Sequence, residues 1–216
     1  MKLPFTFILL ILLNACFAQK NDSIENKIAI KTNPDTYFDL FGGASYGLAI
    51  ECKLYKNIAG SIEYGRYYNL NFSSLINPVG YIIRPEIKYY LNNHKRTSGG
   101  FLSLELMHKE ISFDYVDSFK IGNSPAYQKQ YGISKNVSCI TIKCGELKVY
   151  QSGFILEWYI GGGIRFSNGH NTLTTDENNG ILTGENHGAD IGAAQRSFNE
   201  ILPNLSLGFE IGYRLK

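Results

Sequence analysis

Residues 206–216 read SLGFEIGYRLK, with Leu207, Phe209, Ile211, Tyr213 and Leu215 alternating strictly against Ser206, Gly208, Glu210, Gly212 and Arg214. A period of two belongs to an extended strand, whose successive side chains point to opposite faces. One face here is apolar and the other small or charged, as in the wall of a lipid-embedded barrel.

Worked outward from this stretch, the same alternation recurs about eight times along the 216 residues. The first strand is expected over 27–40, with Ile28, Ile30, Phe38 and Leu40 opposite Lys31, Asn33, Asp35 and Asp39, and with Pro34 at a bulge. A Gly42-Gly43 turn leads to a second, where Tyr46, Leu48, Ile50, Cys52 and Leu54 oppose Ser45, Gly47, Ala49, Glu51 and Lys53. The third sets Ile58, Ile62, Tyr64, Tyr68 and Leu70 against Ser61, Glu63, Tyr67 and Asn69, with Arg66 out of place on the apolar side. In the fourth, Val79, Tyr81, Ile83, Pro85, Ile87, Tyr89 and Leu91 oppose Arg84, Glu86, Lys88 and Tyr90. Leu102, Leu104 and Leu106 against Ser103 and Glu105 mark a fifth that continues toward Tyr115, and a sixth falls near 134–147 with Ile140, Ile142 and Cys144 outward. The seventh sets Phe154, Leu156, Trp158, Ile160, Ile164 and Phe166 against Glu157, Tyr159, Gly161, Gly163 and Arg165.

Three features turn the apolar face outward to lipid. The strands reach about 10–14 residues, near the ~9–11 that a tilted strand needs to cross the hydrocarbon layer. Of the 15 tyrosines, Tyr46, Tyr68, Tyr81, Tyr89 and Tyr213 join Trp158 on the apolar face, many near strand ends as in an interfacial girdle. The polar face carries Glu51, Lys53, Glu63, Arg84, Glu86, Lys88, Glu105, Lys143, Glu157, Arg165, Glu210 and Arg214, six of each sign. An eight-stranded barrel leaves a lumen filled by side chains, where charges must pair. The connections after strands two, four and six are short, and those after three, five and seven are longer, the last over 167–202. Only the Gly42-Gly43 turn breaks that contrast. The expectation is an all-β fold: a single up-and-down antiparallel transmembrane β-barrel of about eight strands, its termini in the periplasm and its long loops outside. A soluble sheet protein with its charges in water is the alternative, and a hairpin near Ile181-Leu182 would make ten strands.

The N-terminus has its own logic. Met1-Lys2, an apolar run over 5–13 and Cys16-Phe17-Ala18 before Gln19 have the layout of a secretory signal peptide, cleaved after Ala18. Leu13-Asn14-Ala15-Cys16 approximates a lipobox, the alternative in which Cys16 is acylated. The expected organisation is a signal peptide over 1–18, a periplasmic tail over 19–26 and the barrel over 27–216. Cys52, Cys139 and Cys144 then remain, an odd set without the density of a disulfide scaffold. Cys139 and Cys144 would face opposite ways in one unbroken strand, and no CxxC pair suggests zinc. With 21 basic and 19 acidic residues interspersed, nucleic acid is not an expected partner.

These residues support a resemblance. The chain is similar to the small eight-stranded outer-membrane barrels of the OmpA/OmpX type, and the segments RPEIKYYL (84–91), LEWYIGGGIRF (156–166) and the FAQ signal exit look like those of uncharacterised outer-membrane barrel proteins of Bacteroidota. Ser206, Gly208, Ile211 and Tyr213 also resemble the C-terminal signal that hands such barrels to their assembly machinery, although many of them finish on an aromatic residue and this one on Leu215-Lys216. The resemblance implies outer-membrane lipid and the assembly machinery as partners. It says little about activity.

Motifs for chemistry are sparse. His94 falls in an expected periplasmic turn. His108 sits on the lipid side with Glu110 and Ser112 nearby, the residue types of a lipid-modifying hydrolase, but four residues of extended chain hold His108 and Ser112 over ~10 Å apart. His170 and His187 share the last loop with Asp176, Glu177, Glu185 and Asp190, read as a hydrated loop rather than a metal site. The GGG over 161–163 lacks the Lys-Ser/Thr of a phosphate loop, and small residues facing a crowded lumen explain it. The expected protein is a monomer without catalytic residues, cofactor or metal, with a structural or surface-interaction role and an extracellular ligand met through 167–202. The alternatives are a small solute or ion conduit, a lipid-modifying enzyme, and a soluble secreted ligand-binding barrel.

Overall fold

The computed structural model describes residues 28–38, 44–68, 76–91, 98–122, 124–180 and 198–215. The expected export signal and periplasmic tail, the Gly42-Gly43 turn, His94, His187, Glu185, Asp190 and Ile181-Leu182 lie outside them. Eight strands form one sheet: β1 (Ile28–Thr32), β2 (Ser45–Tyr55), β3 (Ile58–Tyr67), β4 (Ile76–Tyr90), β5 (Ser98–Phe119), β6 (Tyr127–Val149), β7 (Phe154–Asn171) and β8 (Phe198–Arg214). Each pairs antiparallel with its sequence neighbour, and β1 closes the barrel on β8 through Ile30 opposite Tyr213 and Thr32 opposite Ile211. The fold is an all-β, up-and-down, eight-stranded barrel.

The first strand is shorter than its alternation suggests. The chain leaves the sheet after Thr32 and makes a 3-10 helix over Pro34–Phe38. Proline fixes φ and lacks a ladder donor, whereas the Asn33 carbonyl accepts both the amide and the hydroxyl of Thr36, at 3.3 and 2.8 Å. Local turn chemistry therefore overrides the period of two. The helix packs against β2 and β8, in the space that the short β1 leaves between them, and the Tyr68 hydroxyl donates to the Tyr37 carbonyl at 2.5 Å. Above Ile211, β8 has no ladder partner on its β1 side among the described residues. That is an edge position, where Pro203 is tolerated, and β8 runs back to Phe198. Part of the expected 167–202 loop is thus strand. The rest includes a capped helical turn, α1 (Thr175–Asn179), whose Thr174 and Glu177 form a capping box.

β5 and β6 overrun their expected limits at both ends of their shared turn, pairing from Ser98 opposite Lys148 to Phe119 opposite Tyr127. Along this hairpin the polarity of the two faces reverses. In its lower part Leu102, Leu104, Leu106, Ile140 and Ile142 point out and are exposed, while Ser103, Glu105, Thr141 and Lys143 point in and are buried. In its upper part His108, Glu110, Ser112 and Ser138 point out, and Ile111, Phe113, Tyr115, Phe119, Tyr131 and Ile133 pack inward with Tyr67. At the other end of the lumen Ala29, Leu147, Val149 and Ile155 make an apolar floor, with Tyr90 packed against it. Cys139 is buried and faces in, Cys144 is exposed and faces out, Cys52 is half-buried, and no disulfide joins them among the described residues.

Candidate functional site

Alternation in β1, β2, β4, β7 and β8 sends Lys31, Glu51, Glu86, Lys88, Glu157 and Glu210 into one layer just above the apolar floor. All are buried. Glu157, with 0% exposure, lies between the two lysines and bonds both ammonium groups. Lys31 also reaches Glu51 at 2.6 Å and Glu210 at 3.5 Å, while Lys88 reaches Glu86 at 3.3 Å, Glu51 at 3.4 Å and Glu210 at 3.7 Å. The Tyr90 hydroxyl donates to Glu51 at 2.8 Å, and the Phe101 ring lies 5.0 Å from the Lys88 nitrogen. Buried ions survive only when paired and hydrogen-bonded, and this layer meets that condition by sharing each ammonium among several carboxylates. Its geometry is that of a plug across the lumen.

Two more pairs sit higher: Arg84 donates to Glu63 at 2.8 Å, and Lys143 bonds Glu105 with the Tyr159 ring 4.1 Å from its nitrogen. Above them lies a cavity of about 400 Å³. Its wall includes Arg84, Glu105, Lys109, Lys135, Tyr159 and Arg165 from the strands, with Asn33, Asp35 and Thr36 from the 3-10 helix and the residue before it. Asn33 and the Tyr159 hydroxyl are 3.0 Å apart, tying the helix to β7. The cavity stands between the plug and the upper aromatic cluster, and Tyr67 belongs to both the cluster and the cavity wall.

Of the polar residues expected in the lumen, the structure brings Glu51, Glu86, Lys88, Glu157 and Glu210 into the plug and Glu63, Arg84, Glu105, Lys143 and Arg165 into or beside the cavity. Lys53 and Arg214 stand apart toward the tight-turn end, and the Lys53 nitrogen has no hydrogen-bond partner among the described residues. Lys31 is readable on the polar face of the first strand, and the structure adds it to the network. Lys109 and Lys135 escape a reading by alternation because their strands change polarity at that height.

His108 does not face Ser112. Register sets it opposite Ser138, with Nδ1 3.1 Å from the Ser138 oxygen, while Ser112 bonds Ser134 at 3.2 Å and Glu110 accepts from Tyr81 at 3.0 Å. A cross-strand partner has no spacing signature in the sequence. Ser206, Gly208, Ile211 and Tyr213 lie on β8, Ser206 and Gly208 inward and Ile211 and Tyr213 outward. His170 lies one residue before the end of β7 on the outer face, and Asp176 and Glu177 are in α1. Among the described residues no three His, Cys, Asp or Glu side chains gather as metal ligands.

No protein-family model matches the chain, and no curated protein matches it in sequence. Among solved structures it is similar to the N-terminal β-barrel domain of Pseudomonas aeruginosa OprF, at 13% identity and a TM-score of 0.43, and to a major outer membrane protein of Thermus thermophilus, at 12% and 0.45. Each comparison covers 88% of this chain and 98% of the other. The barrel assignment itself rests on the closed strand ladder.

Proposed function

We propose that this chain is a transmembrane barrel of the bacterial outer membrane, with a structural or surface-interaction role carried by its long-connection end rather than by catalysis. The observation that carries the reading is the inverted distribution of polarity: Leu48, Val79, Ile142, Ile201, Leu205 and Leu207 are all more than 60% exposed on the outside, while Lys31, Lys88 and Glu157 are buried at the centre. In water such a surface would be a large apolar patch of the kind that monomers do not carry. In a bilayer it is the lipid contact. The reversal along β5 and β6 supports a membrane limit near His108 and Ser138, beyond which the hairpin is built like a water-soluble sheet, with its aromatic residues inside. The tight turns after β2 and β6 then face the periplasm and the connections after β1, β3, β5 and β7 face out.

The plug argues against a conduit, since every group in it is held by a partner of opposite charge. The test is threefold. Boiled and unboiled protein from the outer-membrane fraction differ in gel mobility; planar bilayers containing the folded protein show no conductance steps; and an epitope inserted after Asn186 is detected on intact cells whereas one inserted after Lys56 is not. Recovery as a soluble periplasmic protein without a mobility shift overturns the reading.

A further inference from the structure

We infer that the outer face of β3 to β6, where the wall changes from apolar to polar, binds one phosphorylated glycolipid, its phosphate on Arg66 and its sugar along Tyr81, Glu110 and Asn136. The inference rests on the lipid-facing reading of the outer wall and deepens it. Its starting point is Arg66, the cation that interrupts the apolar alternation of β3. Register places Arg66 opposite Tyr46 on β2 and Tyr81 on β4, so no carboxylate lies next to it in the ladder. Its Nε donates to the Tyr64 hydroxyl at 3.1 Å, and its other guanidinium donors have no partner among the described residues. The side chain is exposed on the outer face. An arginine held at one nitrogen keeps the rest of its fork for a ligand, and that fork matches the oxygens of a phosphate in pairs.

The ladder extends the row. Tyr81 stands opposite Glu110 on β5, and Glu110 opposite Asn136 on β6, so four outward side chains occupy four consecutive strands over roughly 14 Å. Charge is graded along them, from a cation at one end to a carboxylate two strands away and a neutral amide at the other end. Glu110 accepts from the Tyr81 hydroxyl at 3.0 Å and repels a phosphate from its own end of the row. A carboxylate beside an amide suits the hydroxyl groups of a sugar instead, which both donate and accept. The Asn136 side chain has no partner among the described residues. Just below, the His108 ring lies 6.2 Å from that of Tyr81 and its Nδ1 is 3.1 Å from the Ser138 oxygen, adding polar atoms at the same level. Lower still on this face come Ile62 opposite Pro85 and Leu106 opposite Ile140, an apolar wall for acyl chains. Inorganic phosphate would use only the first of these features, and a lipid bearing phosphate alone would leave the Glu110 and Asn136 end empty.

The test uses the full mature barrel, folded in a non-ionic detergent, with diacylglucosamine phosphate as the probe and native mass spectrometry to count the lipids each barrel retains. Saturation at one lipid per barrel is expected, with tighter binding than for the dephosphorylated glycolipid or for phosphatidate of the same chain length. Affinity should fall at least about tenfold in Arg66→Gln, which removes charge-assisted hydrogen bonds, and about threefold in Asn136→Ala, which removes neutral ones. Phosphatidate, which has no sugar, should respond to Arg66→Gln and not to Asn136→Ala. Lys148→Gln, which alters an exposed outward lysine toward the tight-turn end, should leave both lipids unaffected. Retained heat-modifiability identifies the variants that fold. Unchanged glycolipid affinity in Arg66→Gln or in Asn136→Ala, no preference for the phosphorylated form, or an equal loss in Lys148→Gln would overturn the inference. Those results from a heat-modifiable barrel of the outer-membrane fraction leave the membrane role standing, whereas a soluble periplasmic protein removes both.

Discussion

Glu157 bonds two ammonium groups at once, from β1 and from β4, and it is fully buried. Removing such a residue strands both lysines in a low-dielectric interior, where an uncompensated charge costs about 3–5 kcal/mol. Glu157→Ala is expected to lower the stability of the folded barrel by that amount, read as the urea midpoint at which the fast-migrating gel band disappears. Gln151→Ala, in the exposed turn after β6, should move the midpoint by no more than about 0.5 kcal/mol. Equal midpoints for the two variants would mean that the plug is not holding the lumen together. His108 shows what a residue-level reading lacks. Alternation puts its imidazole on the correct face, yet its partner is Ser138, 30 positions away, because register and not spacing decides who meets whom.

At the scale of elements, the GGG of β7 divides into two kinds of glycine. Gly161 and Gly163 face β6 so closely that a side chain on Gly163 would fall on the Ile140 carbonyl and the Thr141 Cα, whereas one on Gly162 would meet nothing nearer than the Asn204 carbonyl at 4.0 Å. Gly163→Ala should therefore cost about 1–3 kcal/mol by overpacking, and Gly162→Ala should be neutral or stabilise by up to about 1 kcal/mol through the reduced entropy of the unfolded chain. Both are read by the same urea titration, and equal losses would contradict the packing argument. α1 is held differently: Lys129 donates to Glu177 at 2.6 Å, and Glu177 in turn accepts from the Thr174 amide at 3.0 Å. The Lys129 ammonium and the Thr174 amide hold the Glu177 carboxyl below its ordinary range. A depressed carboxylate stabilises fully above its unfolded pKa of about 4.3 and ceases to do so as pH falls through the lowered folded value. Amide protection over Thr175–Asn179 should accordingly persist at neutral pH and disappear in acid, while Glu177→Gln loses it at both. Protection in acid equal to that at neutrality would sink the idea.

For the whole molecule, the decisive contrast is between a bilayer and water as the surroundings of the outer face. Ile142 stands 65% exposed in the middle of the apolar stretch of β6, and Asn136 stands on the same outer face above the polarity reversal. In a bilayer Ile142→Arg should cost about 2–4 kcal/mol and Asn136→Arg close to nothing. A barrel living in water would respond in the opposite sense, since replacing an exposed isoleucine by arginine relieves an apolar patch. Folding yields into lipid vesicles for the two variants separate these outcomes.

The period of two by itself pointed to an all-β chain of about eight strands and to many of the inward charges, because an apolar outside and paired ions inside impose opposite chemistry on adjacent residues of a strand. It failed in identifiable places. At Pro34 a local turn with a proline that cannot donate took the chain out of the sheet, and at Pro203 an edge position admitted a residue that reads as a breaker. Over 107–133 the alternation persists but its sign changes, so a reading tuned to apolar-out lost β5 and β6 where they become apolar-in. What only the tertiary structure decided is which charges share a layer: two lysines among four glutamates below, and a cation-rich cavity above. Strand shear and barrel closure bring Lys31 to Glu51 and Glu157 across 20 and 126 positions of sequence, and no spacing along one strand encodes a distance across the lumen.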